Sequence, residues 1–166
     1  MAEHVRRLLE LARAQPTEQV HFVGHSLGGL VILRALAASD DLPPGRAVLL
    51  GSPLQGSRAA TGVARLPLGK VLLGSAINEE VLEWRPREWS GRRDIGVIAG
   101  SMRFGLGRLV GALDSDHDGT VLVEETRLPG AKDHIVLHAS HMSMLLSAAV
   151  AQQAAYFLKE GKFERK

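Results

Sequence analysis

Val20-His21-Phe22-Val23-Gly24-His25-Ser26-Leu27-Gly28-Gly29 is the stretch from which the rest of the chain is best read. Its centre, Gly24-His25-Ser26-Leu27-Gly28, fits G-x-S-x-G, the spacing of a nucleophile elbow. An apolar, strand-like run at residues 20–23 precedes it, and an apolar, helix-like run at residues 30–38 follows. A chain turning this sharply from strand to helix pushes Ser26 into a strained conformation with its hydroxyl exposed. Side chains at Gly24 and Gly28 are expected to collide across so tight a turn, and glycine avoids the clash. The turn also places the Leu27 N–H at a helix N-terminus, where unpaired donors and the helix dipole favour a developing oxyanion. The plainer alternative is an ordinary βα turn with an incidental serine.

Outward from the elbow, helix and strand signals alternate. Residues 2–14 carry Val5, Leu8, Leu9 and Ala12 on one helical face, and Pro16 ends that helix. Strands are expected at 18–23, 46–50, 94–99 and 134–138, with helices at 29–39 and 142–158. The helix at 29–39 is apolar almost all round except at Arg34, which predicts burial. Short β-rich runs alternating with helices predict an α/β fold, with a mostly parallel sheet of about four strands flanked by helices. Residues 54–93 are long for a connection and are expected to form a lid-like excursion over the C-terminal edge of the sheet. Trp84 and Trp89 fall within it. Ordinary packing onto the body is the preferred reading for both, and lining of an acyl pocket the alternative.

Composition narrows the chemistry. A chain of 166 residues predicts a single domain with a real core. It has no cysteine, which excludes disulfides, a thiolate nucleophile and zinc–thiolate sites. Met1-Ala2-Glu3-His4-Val5-Arg6-Arg7 lacks the apolar core of a signal peptide, and no apolar run approaches membrane-spanning length. A cytoplasmic location is the expectation. The formal charge is +2, with basic residues at Arg85, Arg87, Arg92 and Arg93 and at Lys159, Lys162, Arg165 and Lys166. Aromatic residues make up only 4% of the chain, too few for a base-stacking platform, so no nucleic-acid partner is expected.

A serine nucleophile needs a base, and the base needs an orienting carboxylate. Both should sit in loops after strands, with the acid before the histidine in chain order. His141, in Ala139-Ser140-His141-Met142, follows the strand expected at 134–138 and opens the final helix, from which it can reach over the strand ends. His134 and His138 are expected within that strand, His4 on the first helix and His21 in the elbow strand. His25 adjoins the serine and is expected to pack or hydrogen-bond beside the elbow. The acid should come from Asp114-Ser115-Asp116-His117-Asp118-Gly119-Thr120-Val121. Position favours Asp118, whose turn with Gly119 precedes an extended run expected at 120–123, and leaves Asp114 and Asp116 as alternatives.

Together, Gly24-His25-Ser26-Leu27-Gly28-Gly29, Gly51-Ser52-Pro53, Asp118-Gly119-Thr120-Val121 and His141 resemble the α/β-hydrolase superfamily in its bacterial lipase and esterase branch. The resemblance extends over roughly residues 18–145. It implies Ser26 as nucleophile, Asp118 as acid and His141 as base, with the Leu27 N–H in the oxyanion hole. It also implies carboxylesterase or lipase-like hydrolysis of a small-molecule acyl ester without a cofactor. In that branch a strand and a His-Gly loop, which supplies the second oxyanion donor, precede the elbow. Here only one predicted helix and a turn precede it, so the chain is expected to be the C-terminal part of the fold, N-terminally incomplete. The elbow strand would then lie at an exposed edge, open to homo-oligomerisation. A catalytically impaired fragment that binds partners is the alternative function.

Asp114, Asp116, Asp118, Gly119 and Glu125 also satisfy the EF-hand calcium-loop pattern D-x-[DN]-x-[DN]-G-x5-E. Glycines 105, 107 and 111 interrupt the segment where an entering helix would lie, and Leu128-Pro129-Gly130 follows too soon for an exiting one. No metal ligand is assigned on this pattern.

Overall fold

The structure, a computed structural model, describes residues 1–56, 88–103 and 115–165. The lid-like excursion expected at 54–93 therefore lies mostly outside the described residues, as do Trp84 and Asp114. Among the described residues the elements run α1 (Ala2–Arg13), β1 (Phe22–His25), α2 (Leu27–Ala38), β2 (Ala47–Leu50), β3 (Ile95–Gly100), β4 (Asp133–Leu137) and α3 (Ala148–Glu160). Short 3₁₀ turns occupy Glu124–Thr126 and Ser143–Leu145.

The four strands form one parallel sheet in the order β1-β2-β3-β4. Period-two alternation along the strands divides the core between the two faces. Ala47 and Leu49 of β2, with Ile95 and Val97 of β3, face the layer of Phe22, Leu30, Leu33 and Leu36. Val48, Leu50 and Ile98 face Val150, Ala154, Phe157 and Phe163. So α1 and α2 cover one face and α3 the other. Gly96 of β3 makes room for the two phenylalanines, because a Cβ there would stand 2.8 Å from both rings. The expected α/β architecture of about four parallel strands is the one observed.

Three segments differ from expectation by more than two residues. The first strand begins at Phe22, not residue 18, and runs through His25 into the elbow. Its register explains this: Phe22 pairs with Ala47 and His25 with Leu50, so residues 18–21 lie before the first residue of β2. The final helix begins at Ala148, not Met142. Ser147 caps it by accepting from the Val150 N–H, and residues 142–147 form the 3₁₀ turn and a bend instead. Residues 120–123 are not an extended run; Asp118 and Gly119 close a tight turn there, with His117 and Leu122 bridged across it.

β1 is hydrogen-bonded to β2 alone among the described residues, so the elbow strand lies at an edge of the sheet. Val23 on its second face is 52% exposed. Among the described residues no helix is long and apolar enough to cross a membrane.

Candidate active site

All four strands point the same way, so their C-terminal ends share one edge, where open α/β sheets place their ligands. Ser26 sits at the end of β1 as the N-cap of α2, with φ 55° and ψ −125°. It is the one non-glycine residue with positive φ among the described residues. Its hydroxyl caps nothing, and its N–H donates to Leu50 O at 2.9 Å, tying the elbow to β2. A strained backbone held by a strand on one side and a helix on the other is what an elbow requires. Leu27 opens α2, so its N–H has no partner within the helix.

Two glycines make the turn possible, though not the expected pair. A Cβ at Gly24 would stand 2.5 Å from Ile32 Cδ1 and 2.8 Å from the Gly29 N. At Gly28 a Cβ would meet nothing within 4 Å, so the expected clash there does not exist. The crowded position is Gly29, where a Cβ would lie 2.1 Å from Ser52 Oγ. The first turn of α2 rotates residue 29 onto the end of β2 and residue 28 toward open space.

Asp118 and His141 are brought together. Asp118 Oδ2 accepts from His141 Nδ1 at 2.7 Å, and Oδ1 accepts from the Thr120 and Val121 N–H groups at 2.9 and 2.7 Å. His141 N–H in turn donates to the Asp118 carbonyl at 2.8 Å. Both side chains are buried. With Nδ1–H donating to the carboxylate, a neutral imidazole presents Nε2 as an acceptor, the tautomer a general base needs. Gly51, at φ 53°, stands beside this pair: a Cβ there would be 2.9 Å from Asp118 Oδ2 and 3.2 Å from His141 Nδ1. Both the backbone conformation and the space require glycine.

None of the hydrogen bonds among the described residues joins the Ser26 hydroxyl to His141. The elbow meets His141 through His25 instead, whose Nε2 lies 2.8 Å from the His141 carbonyl. Burial lowers the His25 pKa below the usual imidazole value. Sequence reasoning placed His25 beside the elbow but had no signal for a partner 116 residues away.

The remaining candidates lie elsewhere. Asp116 is exposed and pairs with Arg103 at 3.2 Å. Glu125 is buried and accepts from the Leu122 N–H at 3.0 Å. The carboxylates of Asp116, Asp118 and Glu125 thus go to different partners, and no group of potential metal ligands forms among the described residues. His134 is half-buried in β4 with Nε2 2.9 Å from the Thr126 hydroxyl. His138 lies just past β4 and is exposed. Trp89 packs as the preferred reading had it: its N–H bonds to Pro129 O and its indole Nε1 to Arg93 O. It lines a cavity of about 270 Å³ with Leu42, Gly45 and Arg93, at the end of the sheet opposite the elbow.

No protein-family model matches the chain, and no curated protein matches its sequence. Solved structures do resemble it. The mature form of a Bacillus licheniformis lipase aligns over 95% of this chain and 70% of its own, at 18% identity and TM-score 0.67. A metagenomic carboxyl esterase aligns over 96% of this chain and 62% of its own, at 17% identity and TM-score 0.62. A Pseudomonas aeruginosa hydrolase aligns over 94% of this chain and 70% of its own, at 20% identity and TM-score 0.55. The chain has an α/β-hydrolase fold and spans only part of the length of each of these structures.

Proposed function

We propose that the chain is a serine-dependent hydrolase of acyl esters. The observation that carries this reading is the buried Asp118–His141 pair, joined at 2.7 Å, at the strand ends that also carry a strained Ser26 elbow. Ser26 Oγ attacks the ester carbonyl carbon while His141 Nε2 takes the hydroxyl proton. The carbonyl oxygen becomes an oxyanion facing the Leu27 N–H and the positive end of α2. The tetrahedral intermediate collapses, the C–O bond to the alcohol breaks, and His141 returns the proton to the leaving oxygen. Water, deprotonated by the same Nε2, then attacks the acyl-enzyme; the bond from the acyl carbon to Ser26 Oγ breaks, His141 returns the proton to Oγ, and the acid leaves. Asp118 holds the imidazole tautomer and offsets the imidazolium charge through both half-reactions. A serine–histidine bond of this kind commonly tightens only once the reacting group is in place.

An acyl ester, rather than a charged substrate, suits the surroundings. Met142 follows His141 directly, and it, Leu145 and Leu146 are 67%, 54% and 92% exposed. Large apolar side chains exposed within five residues of His141 favour an apolar acyl group. A fluorophosphonate probe tests the reading: it should label Ser26 covalently, and Ser26→Ala should abolish labelling. Labelling retained in that variant, at Ser52 for example, would sink the assignment.

A further inference from the structure

His141 stands on a loop between β4 and the Ser143–Leu145 turn, so no strand or helix ladder holds its backbone. Three of its polar groups are nonetheless fixed. Asp118 takes two of them, the N–H through its main-chain carbonyl and Nδ1 through its carboxylate. The third is the carbonyl, 2.8 Å from His25 Nε2. A carbonyl only accepts, so His25 carries its proton on Nε2 and donates. The two imidazole rings also pack, with centroids 4.6 Å apart and planes tilted by 46°. The group left over is His141 Nε2, the atom the reaction uses.

We propose that His25 is a positioning residue: by donating to the His141 carbonyl it closes the clamp begun by Asp118 and holds the His141 imidazole in register with Ser26. The inference rests on the serine-hydrolase reading for its catalytic consequence, though not for the clamp itself. Its force comes from chain connectivity. His25 is the last residue of β1 and is bonded covalently to Ser26, while its hydrogen bond reaches the loop that carries the base. Register fixes His25 opposite Leu50, and the Ser26 N–H binds the Leu50 carbonyl, so neither neighbour can drift without breaking the sheet. One side chain thus sets the spacing between nucleophile and base, where an error near 1 Å is worth about 10²-fold in rate. Burial lowers the His25 pKa, which disfavours a second positive charge beside an imidazole that becomes cationic during turnover.

The test uses three variants of the whole chain and two readouts. His25→Ala removes donor and ring, His25→Phe keeps a ring without the donor, and His25→Gln restores an N–H donor at a similar reach. On p-nitrophenyl acetate, His25→Ala and His25→Phe should lose about 10- to 10²-fold in kcat with KM nearly unchanged, and His25→Gln should recover most of it. In ¹⁵N-histidine NMR the low-field Nδ1–H signal of His141 should broaden in the Ala and Phe variants and return in the Gln variant. Unchanged kcat in an active enzyme, or an unchanged Nδ1–H signal in His25→Ala, would overturn the proposal. So would a loss of kcat that His25→Gln does not restore. A wild-type protein that neither hydrolyses the ester nor is labelled at Ser26 removes the esterase reading alone, and the NMR signal then decides the clamp.

Discussion

Asp118 and His141 are bound to each other twice, side chain to side chain at 2.7 Å and main chain to main chain at 2.8 Å. The carboxylate cannot rotate away, because its other oxygen holds the Thr120 and Val121 N–H groups of its own turn. The carboxylate is thereby set by a local Asp-Gly turn, and the imidazole by the carboxylate.

This geometry separates a catalytic effect from a structural one. In Asp118→Asn the amide oxygen can keep the two backbone donors while its NH₂ faces His141 Nδ1 and enforces the wrong tautomer. Turnover should fall by up to about 10⁴ with little change in melting temperature. Asp118→Ala leaves both buried N–H groups unpaired and should cost roughly 1–3 kcal/mol for each, measured by urea unfolding. Asp116→Asn, at an exposed residue paired with Arg103, should do neither. A reversed ranking would move the acid to Asp116.

The strain at Ser26 makes its own prediction. At φ 55° a glycine is at ease and an alanine is not. Ser26→Gly should therefore be more stable than Ser26→Ala by about 1 kcal/mol, with both inactive. Equal unfolding midpoints for the two would argue that the elbow is not strained.

Neighbouring glycines in α2 should respond oppositely. Gly28→Ala, into open space, should be neutral or stabilise by up to ~1 kcal/mol. Gly29→Ala drives a methyl into Ser52 and should cost about 1–3 kcal/mol. Ser52→Ala should itself be neutral or mildly stabilising, since its buried hydroxyl has no hydrogen-bond partner among the described residues. Thermal denaturation of the three variants checks the ranking.

Burial first, and then the charge of Arg127, lower the His134 pKa below its ordinary value. The folded state therefore resists protonation more than the unfolded chain, whose imidazole titrates near 6.5. The contribution to stability is complete above that value and is lost as pH falls below it. Urea midpoints should fall between about pH 7.5 and about pH 5.5, and less steeply in His134→Gln. A midpoint that rises on acidification, or an unchanged slope in the variant, contradicts this.

Among the described residues β1 pairs on one side only and carries no Asp, Glu, Lys or Arg, and an uncharged edge strand templates pairing with another chain. Self-association through β1 is the expected behaviour, and Val23→Lys should reduce it. Light scattering on both proteins decides the matter; a monodisperse wild-type monomer would refute it.

Features encoded by near neighbours in the chain can be read directly from it. The strand–elbow–helix grammar around Ser26, the amphipathic stripe of α1, the apolar strands and the Asp118-Gly119 turn all depend on residues a few positions apart, and all were legible. The start of α3 differs from its sequence reading because Met142, Met144, Leu145 and Leu146 extend the apolar pattern N-terminally, while the capping Ser147 fixes the boundary. Relationships across the sheet arise only on folding, and the folded arrangement sets them. It made Gly29 rather than Gly28 the crowded glycine, by setting α2 against Ser52. It placed Trp89 at the end away from the elbow, and it gave His25 its partner. These follow from strand order and register, which bring together residues as far apart as 25 and 141, and no local pattern encodes such a distance.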